Sequence, residues 1–307
     1  MHGKPRKNAV QFATNANANT VWKNGLQSSE KRGIIAFSGV PDQKREMHYD
    51  IFRCLTVDIT DGLAIVRLNR PKRLNAISRT FFGELESLWP LLSRDPSVDA
   101  IVLTGSGKAF CVGGDISEMD ASEGGAPLFD MNSPAQTKRV LRGMLTVEQP
   151  LICAINGDAV GLGATMALAC DISVIAAAAR IGDPHTRMGL VPGDGSIAFW
   201  PALVGRSRAK DLLMRGRLIN GDEAHALGAA THLAADGDAA LTKAISIARE
   251  LLALSTVAIR WTKSLMNREM LAAFDAIIDS SQAMEMLSTQ TPGHAKAVQD
   301  FVARKKA

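Results

Sequence analysis

The sequence predicts an α/β fold in which parallel strands are joined by helical crossovers. Three observations lead there. Short apolar runs at 100–105 (AIVLTG), 151–155 (LICAI) and 171–175 (DISVI) have the length and β-branched content of buried strands. Helical patterns alternate with these runs, and three strand–helix repeats favour parallel strands. Adjacent glycines end the strand regions in tight turns, at Gly113-Gly114 and at Gly161-Leu162-Gly163. A chain of 307 residues with 46% hydrophobic content can bury a full core as one large domain with an appendage.

The appendage is the beginning of the chain. Residues 1–48 carry eight Lys or Arg against three acidic residues, a surplus of five that exceeds the whole chain's +4 and leaves the remainder near −1. Residues 11–27 are rich in Asn, Ala, Thr and Gln without helical or strand period, as in disordered or loosely attached segments. The segment lacks the apolar stretch of a secretory signal. Its basic, acid-poor start leaves a transit peptide as one reading and an upstream start before Met47 as the preferred one.

From Phe52 the pattern becomes regular. Residues 55–59 and 63–68 alternate around Thr60-Asp61-Gly62, a hairpin signal. Residues 69–76 (NRPKRLNA) form a loop, and Ser78 caps a helix through Phe81, Leu85 and Leu88 that Pro90 is expected to stop. After strand 100–105 comes AFCVGGDISEM (109–119). Backbone N–H groups of a Gly-Gly turn before a helix are well placed for developing negative charge. Alone, such a turn is as readily structural. Residues 121–133, rich in Gly, Ser and Pro, read as a loop suited to walling a pocket. A helix over 135–146, strand 151–155, helix 164–170 and strand 171–175 follow. Beyond them, helical patterns at 208–215, 221–227, 239–254 and 257–287 present apolar faces, the last broken at Pro292-Gly293, with Arg304-Lys305-Lys306 as a solvated tail.

Several function classes are excluded. A near-neutral body argues against nucleic acid as partner. No apolar run reaches membrane-spanning length, since 151–179 is broken by Asn156, Asp158, Asp171 and glycines. Four cysteines without C-x-x-C spacing indicate neither a metal site nor a disulfide framework, and fit reduced thiols in a cytoplasmic protein.

The ordered set NRP-x-x-LNA (69–76), AFCVGGDISEM, AINGDAVGLGATMALACD (154–171) and GLVPG (189–193) resembles the crotonase (enoyl-CoA hydratase/isomerase) superfamily from about Tyr49 onward. The resemblance implies a spiral of β-β-α units over 49–240 and a helical trimerisation region over 241–307. It further implies an acyl-CoA thioester substrate with coenzyme A as its only carrier group and no separate cofactor, and a homotrimer or homohexamer. The backbone N–H groups of Gly114 and Leu162 would form the oxyanion hole. Arg73, Leu74, Ala76, Val112, Gly113, Asp115 and Ile116 would line the CoA path. Lys263 would stand near the CoA phosphates, with a solvated helix face as the alternative.

At the catalytic positions the chain departs from the hydratase pattern. Where a hydratase has its two glutamates, this chain has Thr165, assigned to the substrate pocket, and His185. A loop histidine is commonly structural, but one in this position is a ready acid/base. Asp194, nine residues on, either orients it or is simply a turn or cap aspartate. Asp183 and Glu118 are weaker candidates. The His185/Asp194 spacing also resembles crotonase-like C–C hydrolases that cleave β-diketones. Three functions therefore stand: an acyl-CoA lyase or isomerase using His185, a retro-Claisen hydrolase of a β-diketone or β-keto acyl-CoA using His185 and Asp194, and a silent acyl-CoA-binding protein.

Overall fold

The computed structural model describes residues 48–115 and 133–306. The basic segment before them, Ile116, Glu118 and the pocket loop up to residue 132 lie outside the described residues. Strands β1 (Leu55–Thr60) and β2 (Leu63–Leu68) form the expected hairpin, with Asp61 and Gly62 at φ 50° and 79°. Positive φ at both turn residues matches the right-handed twist of the strands. From β2 onward every pairing in this sheet is parallel: β3 (Ala100–Gly105), β5 (Leu151–Ile155), β7 (Ile172–Ala176) and β10 (His232–Ala234) give the order β1-β2-β3-β5-β7-β10.

Strands β3, β5 and β7 are predominantly apolar because both faces are covered. Ile101, Leu103, Leu151, Cys153 and Ile155 face the main core. Val102, Ile152, Ala154 and Val174 face the opposite way, onto Ala240, Ala244 and Ala248 of a helix (Gly237–Leu252). The i, i+4, i+8 alanines bring that helix close to the sheet.

A second sheet of short strands, β4 (Ala109–Cys111), β6 (Asp158–Val160), β8 (Arg180–Gly182) and β9 (Leu218–Asn220), runs in that order. The pairs β3-β4, β5-β6 and β7-β8 thus each leave one strand in each sheet before the next helix. The helices in chain order are α1 (Arg79–Arg94), α2 (Ser133–Thr146), α3 (Leu162–Leu168), α4 (Ser196–Val204), α5 (Arg206–Met214), α6 (Gly221–Leu227), α7 (Gly237–Leu252), α8 (Thr256–Ser288) and α9 (Pro292–Lys306).

Two expectations are corrected. Helix α1, capped by Ser78 Oγ accepting from Phe81 N–H at 3.2 Å, runs through Pro90 to Arg94. Pro90 is exposed, so water can solvate the carbonyl its ring leaves unbonded, while Trp89 and Leu92 anchor both sides in the core. The expected tail at 304–306 closes helix α9, which begins at Pro292, where proline's missing N–H costs nothing. No helix among the described residues is long and apolar enough to cross a membrane.

Candidate active site

The two glycine turns meet. A Cβ on Gly113 (φ 84°) would lie 3.0 Å from the Val160 carbonyl and 3.9 Å from Gly161 Cα, and one on Gly163 would collide with the Cys111 carbonyl. Only glycine permits this approach of the β4 end to the start of α3. Ile77 N–H donates to the Gly113 carbonyl at 2.8 Å and its own carbonyl accepts from Asp115 N–H at 3.0 Å. In such a parallel bridge the intervening residue, Gly114, turns its N–H to the other side. Leu162 is the first residue of α3, so its N–H has no acceptor within the helix. Both predicted donors therefore lie on abutting turns, each with an N–H that bonds no backbone carbonyl among the described residues.

The NRPKRLNA loop is tied to the same place. Asn75, fully buried at φ 55°, accepts from Arg70 N–H at 2.9 Å and donates to the carbonyls of Ser106, Ala109 and Phe110. Arg70 pairs with Asp115 at 3.0 Å and bonds the Ala76 carbonyl. Asp115 is thus engaged through its side chain in bracing the loop against the Gly-Gly turn. Arg73 and Leu74 stand exposed on the loop, Val112 is half-buried, and Ala76 and Gly113 are buried.

Lys263 requires correction. It is buried on α8, its Nζ 2.8 Å from both the Gln149 carbonyl and Asp171 Oδ2, and Asp171 also accepts from Leu151 N–H at 2.7 Å. The lysine fastens α8 to the start of β5 and is not free for a phosphate. Thr165 is corrected too. Fully buried, it donates Oγ1 to the Gly161 carbonyl at 3.3 Å, bracing the turn that carries Leu162 instead of facing a substrate.

Strand β8 ends at Gly182 and delivers Asp183 and then His185, the first residue of a 3-10 turn (His185–Met188) closed by Gly189 at φ 67°. Asp183 Oδ1 accepts His185 N–H at 3.0 Å and contacts Nδ1 of the same residue. The orienting carboxylate is therefore Asp183, and the expected pairing of His185 with Asp194 is corrected: two residues across a tight turn reach the ring where nine do not. Asp194 instead accepts Ser196 N–H at 3.2 Å, across Gly195 at the start of α4. It remains close, with ligand-type atoms of Asp183, His185 and Asp194 all within 4.8 Å of one another.

Glu285 completes the cluster. Its Oε1 lies 3.4 Å from His185 Nε2, and a Cβ on Gly193 would collide with its carboxylate. Sequence reasoning missed this residue. The available signal was periodicity: Phe274, Ile278 and Glu285 share the buried stripe of α8, where an acid is out of place. The site is layered. The His185 and Glu285 side chains are 14% and 11% exposed, whereas Asp183 is sealed off and Asp194 Oδ2 is buried without a partner among the described residues. His185 also abuts the Gly161–Gly163 turn, its Cε1 3.8 Å from where a Gly161 Cβ would sit.

Burial alone would discharge His185, but Asp183, then Glu285 and Asp194, hold its pKa well above the usual histidine value. Burial opposes ionisation of Asp183 as well, yet the imidazolium keeps it below the ordinary carboxylate range. Asp194 is pushed up to about 7, first by burial and then by the Asp183 and Glu285 charges. Folded Asp194 therefore holds its proton to higher pH than the unfolded chain does, so its contribution to stability is complete below pH ~4 and is lost as pH rises to about 7. Asp194→Asn should raise Tm relative to wild type at pH 8, with the gap closing toward pH 4.5. A pH series of thermal melts checks this, and a gap that widens on acidification contradicts it.

The profile of the family described as enoyl-CoA hydratase/isomerase matches residues 58–307. The chain is 31% identical over 254 residues to a crotonyl-CoA hydratase of Syntrophomonas wolfei, covering 80% of this chain and 94% of that one. It is 29% identical over 248 residues to a 1,2-epoxyphenylacetyl-CoA isomerase of Escherichia coli, with the same coverages. A crystal structure of an enoyl-CoA hydratase/isomerase from Mycobacterium paratuberculosis superposes with a TM-score of 0.75 at 32% identity, over 82% of this chain and all of that one.

Proposed function

This chain belongs to the enoyl-CoA hydratase/isomerase family, and we propose that it acts on an acyl-CoA thioester through an enolate, with His185 replacing the usual glutamates as acid/base. The observation that carries the reading is the adjacency of two available N–H groups, on Gly114 and Leu162, to the His185 ring. The thioester oxygen accepts both N–H groups, and the charge of the enolate gathers there as a proton leaves C2. His185 exchanges that proton through Nε2, the nitrogen turned toward Glu285, while Asp183 fixes the ring from Nδ1. CoA lies along the exposed side of the NRPKRLNA loop and the Gly-Gly turn.

The pairing of His185 with Glu285 supports a second reading, cleavage of a β-keto acyl chain. Here His185 takes a proton from water as its oxygen adds to the C3 ketone. The C2–C3 bond breaks, and the enolate leaves into the same oxyanion hole to be protonated at C2.

Incubation with crotonyl-CoA and with acetoacetyl-CoA tests both. Hydration or double-bond shift of the first supports the enolate lyase or isomerase, and acetate with acetyl-CoA from the second supports cleavage. Binding of both without turnover overturns catalysis in favour of an acyl-CoA-binding protein.

The chain is further proposed to work as a homotrimer or homohexamer. Val257, Trp261 and Leu265, one turn apart on α8, are 52%, 70% and 60% exposed, an apolar stripe suited to a second subunit. A cytoplasmic location, where thiols stay reduced, is part of the same proposal.

A further inference from the structure

We infer that the acyl chain accepted here is uncharged, and that Glu285 is the residue that turns away a chain ending in a carboxylate; the inference rests on the acyl-CoA reading above. The layering of the cluster sets the charge a substrate meets. His185 is its one cation, and both ring nitrogens face carboxylates, Nδ1 that of Asp183 and Nε2 that of Glu285. Asp183 balances the imidazolium from behind, which leaves the Glu285 carboxylate in surplus at the solvent-reachable front. A proton lost from buried Asp194 adds to that surplus.

Three other basic groups on elements packed around the cluster bond partners outside it. Arg187, on the same turn, bonds the Arg215 carbonyl, and Arg142 of α2 pairs with Asp275. His294 of α9 contacts the Met188 carbonyl at 2.7 Å through Nδ1. Nor can the Glu285 carboxylate retreat toward α4, because its side chain lies packed against the backbone of Gly193. A second carboxylate on the acyl chain would thus meet a fixed like charge in a low-dielectric site, which weakens binding on the order of 100-fold.

Titration calorimetry of the full-length protein with butyryl-CoA, succinyl-CoA and CoA tests this. Butyryl and succinyl chains have the same length and differ in the terminal carboxylate. Butyryl-CoA should bind on the order of 100-fold more tightly than succinyl-CoA, and Glu285→Gln should shrink the gap below about 10-fold by tightening succinyl-CoA. Succinyl-CoA binding to wild type within about threefold of butyryl-CoA overturns the inference, as does a gap unchanged by Glu285→Gln. The wild-type protein gives the same test through the neutral amide of the succinyl chain, which removes any dependence on the variant's folding. That amide should bind like butyryl-CoA, and binding as weak as that of succinyl-CoA would make shape the cause and overturn the inference. Tight, equal binding of all chains sinks the specificity alone, whereas failure of every thioester and of CoA to bind sinks the acyl-CoA reading beneath it.

Discussion

Replacing His185 with alanine should lower kcat/KM on the order of 10³-fold while leaving CoA affinity unchanged, because a positioned acid/base supplies roughly 10²–10⁴ of rate and the ring's contacts are with Asp183, Glu285 and the Gly161 turn, not with the loop proposed to carry CoA. Steady-state kinetics with the substrate found above, together with CoA titration, gives both numbers. Activity within tenfold of wild type would remove the histidine from the mechanism. The pH profile carries more information than the loss itself. As a base, His185 must first lose the proton that Asp183 and Glu285 help it hold, so kcat/KM should rise with pH through a limb well above the ordinary histidine range. Glu285→Gln and Asp183→Asn each withdraw one supporting charge and should move that limb toward lower pH. A limb that stays put in both variants belongs to some other group.

Leu162→Pro should cost about 10²–10³ in kcat, the usual worth of one oxyanion donor. The substitution is selective because of where Leu162 sits. At the first position of a helix, proline is well tolerated, its ring pre-sets the helical φ, and the only backbone group removed is the N–H proposed to bind the thioester oxygen. Leu162→Ala, which keeps the N–H, is the matching control and should retain most of wild-type kcat. Equal losses in the two variants would assign the effect to the side chain and refute the oxyanion role. Circular dichroism of both variants separates a lost donor from a lost fold.

Much of the fold was legible because strands β3, β5 and β7 are covered on both faces and so spell out unbroken apolar runs. The Gly113-Gly114 and Gly161–Gly163 turns were legible for a steric reason: any Cβ at Gly163 meets the Cys111 backbone, so the residue type reports the approach. The three-residue strands of the second sheet are too short to leave a period. Pro90 misled because its effect on a helix depends on which face it occupies, a matter of tertiary packing. Lys263 and Thr165 looked functional in one dimension and proved to be fasteners in three. The histidine was found, but its partners were not. Asp183 lies two residues away, where only the turn geometry shows that the side chain reaches back, and Glu285 lies a hundred residues on, where no local pattern connects it to His185.

That separation bears on how the protein comes into being. His185 is laid down a hundred residues before Glu285, so a growing chain carries the imidazole before the carboxylate that stands opposite Nε2. The counter-charge arrives only with α8, and a chain cut short of that helix keeps the ring without it.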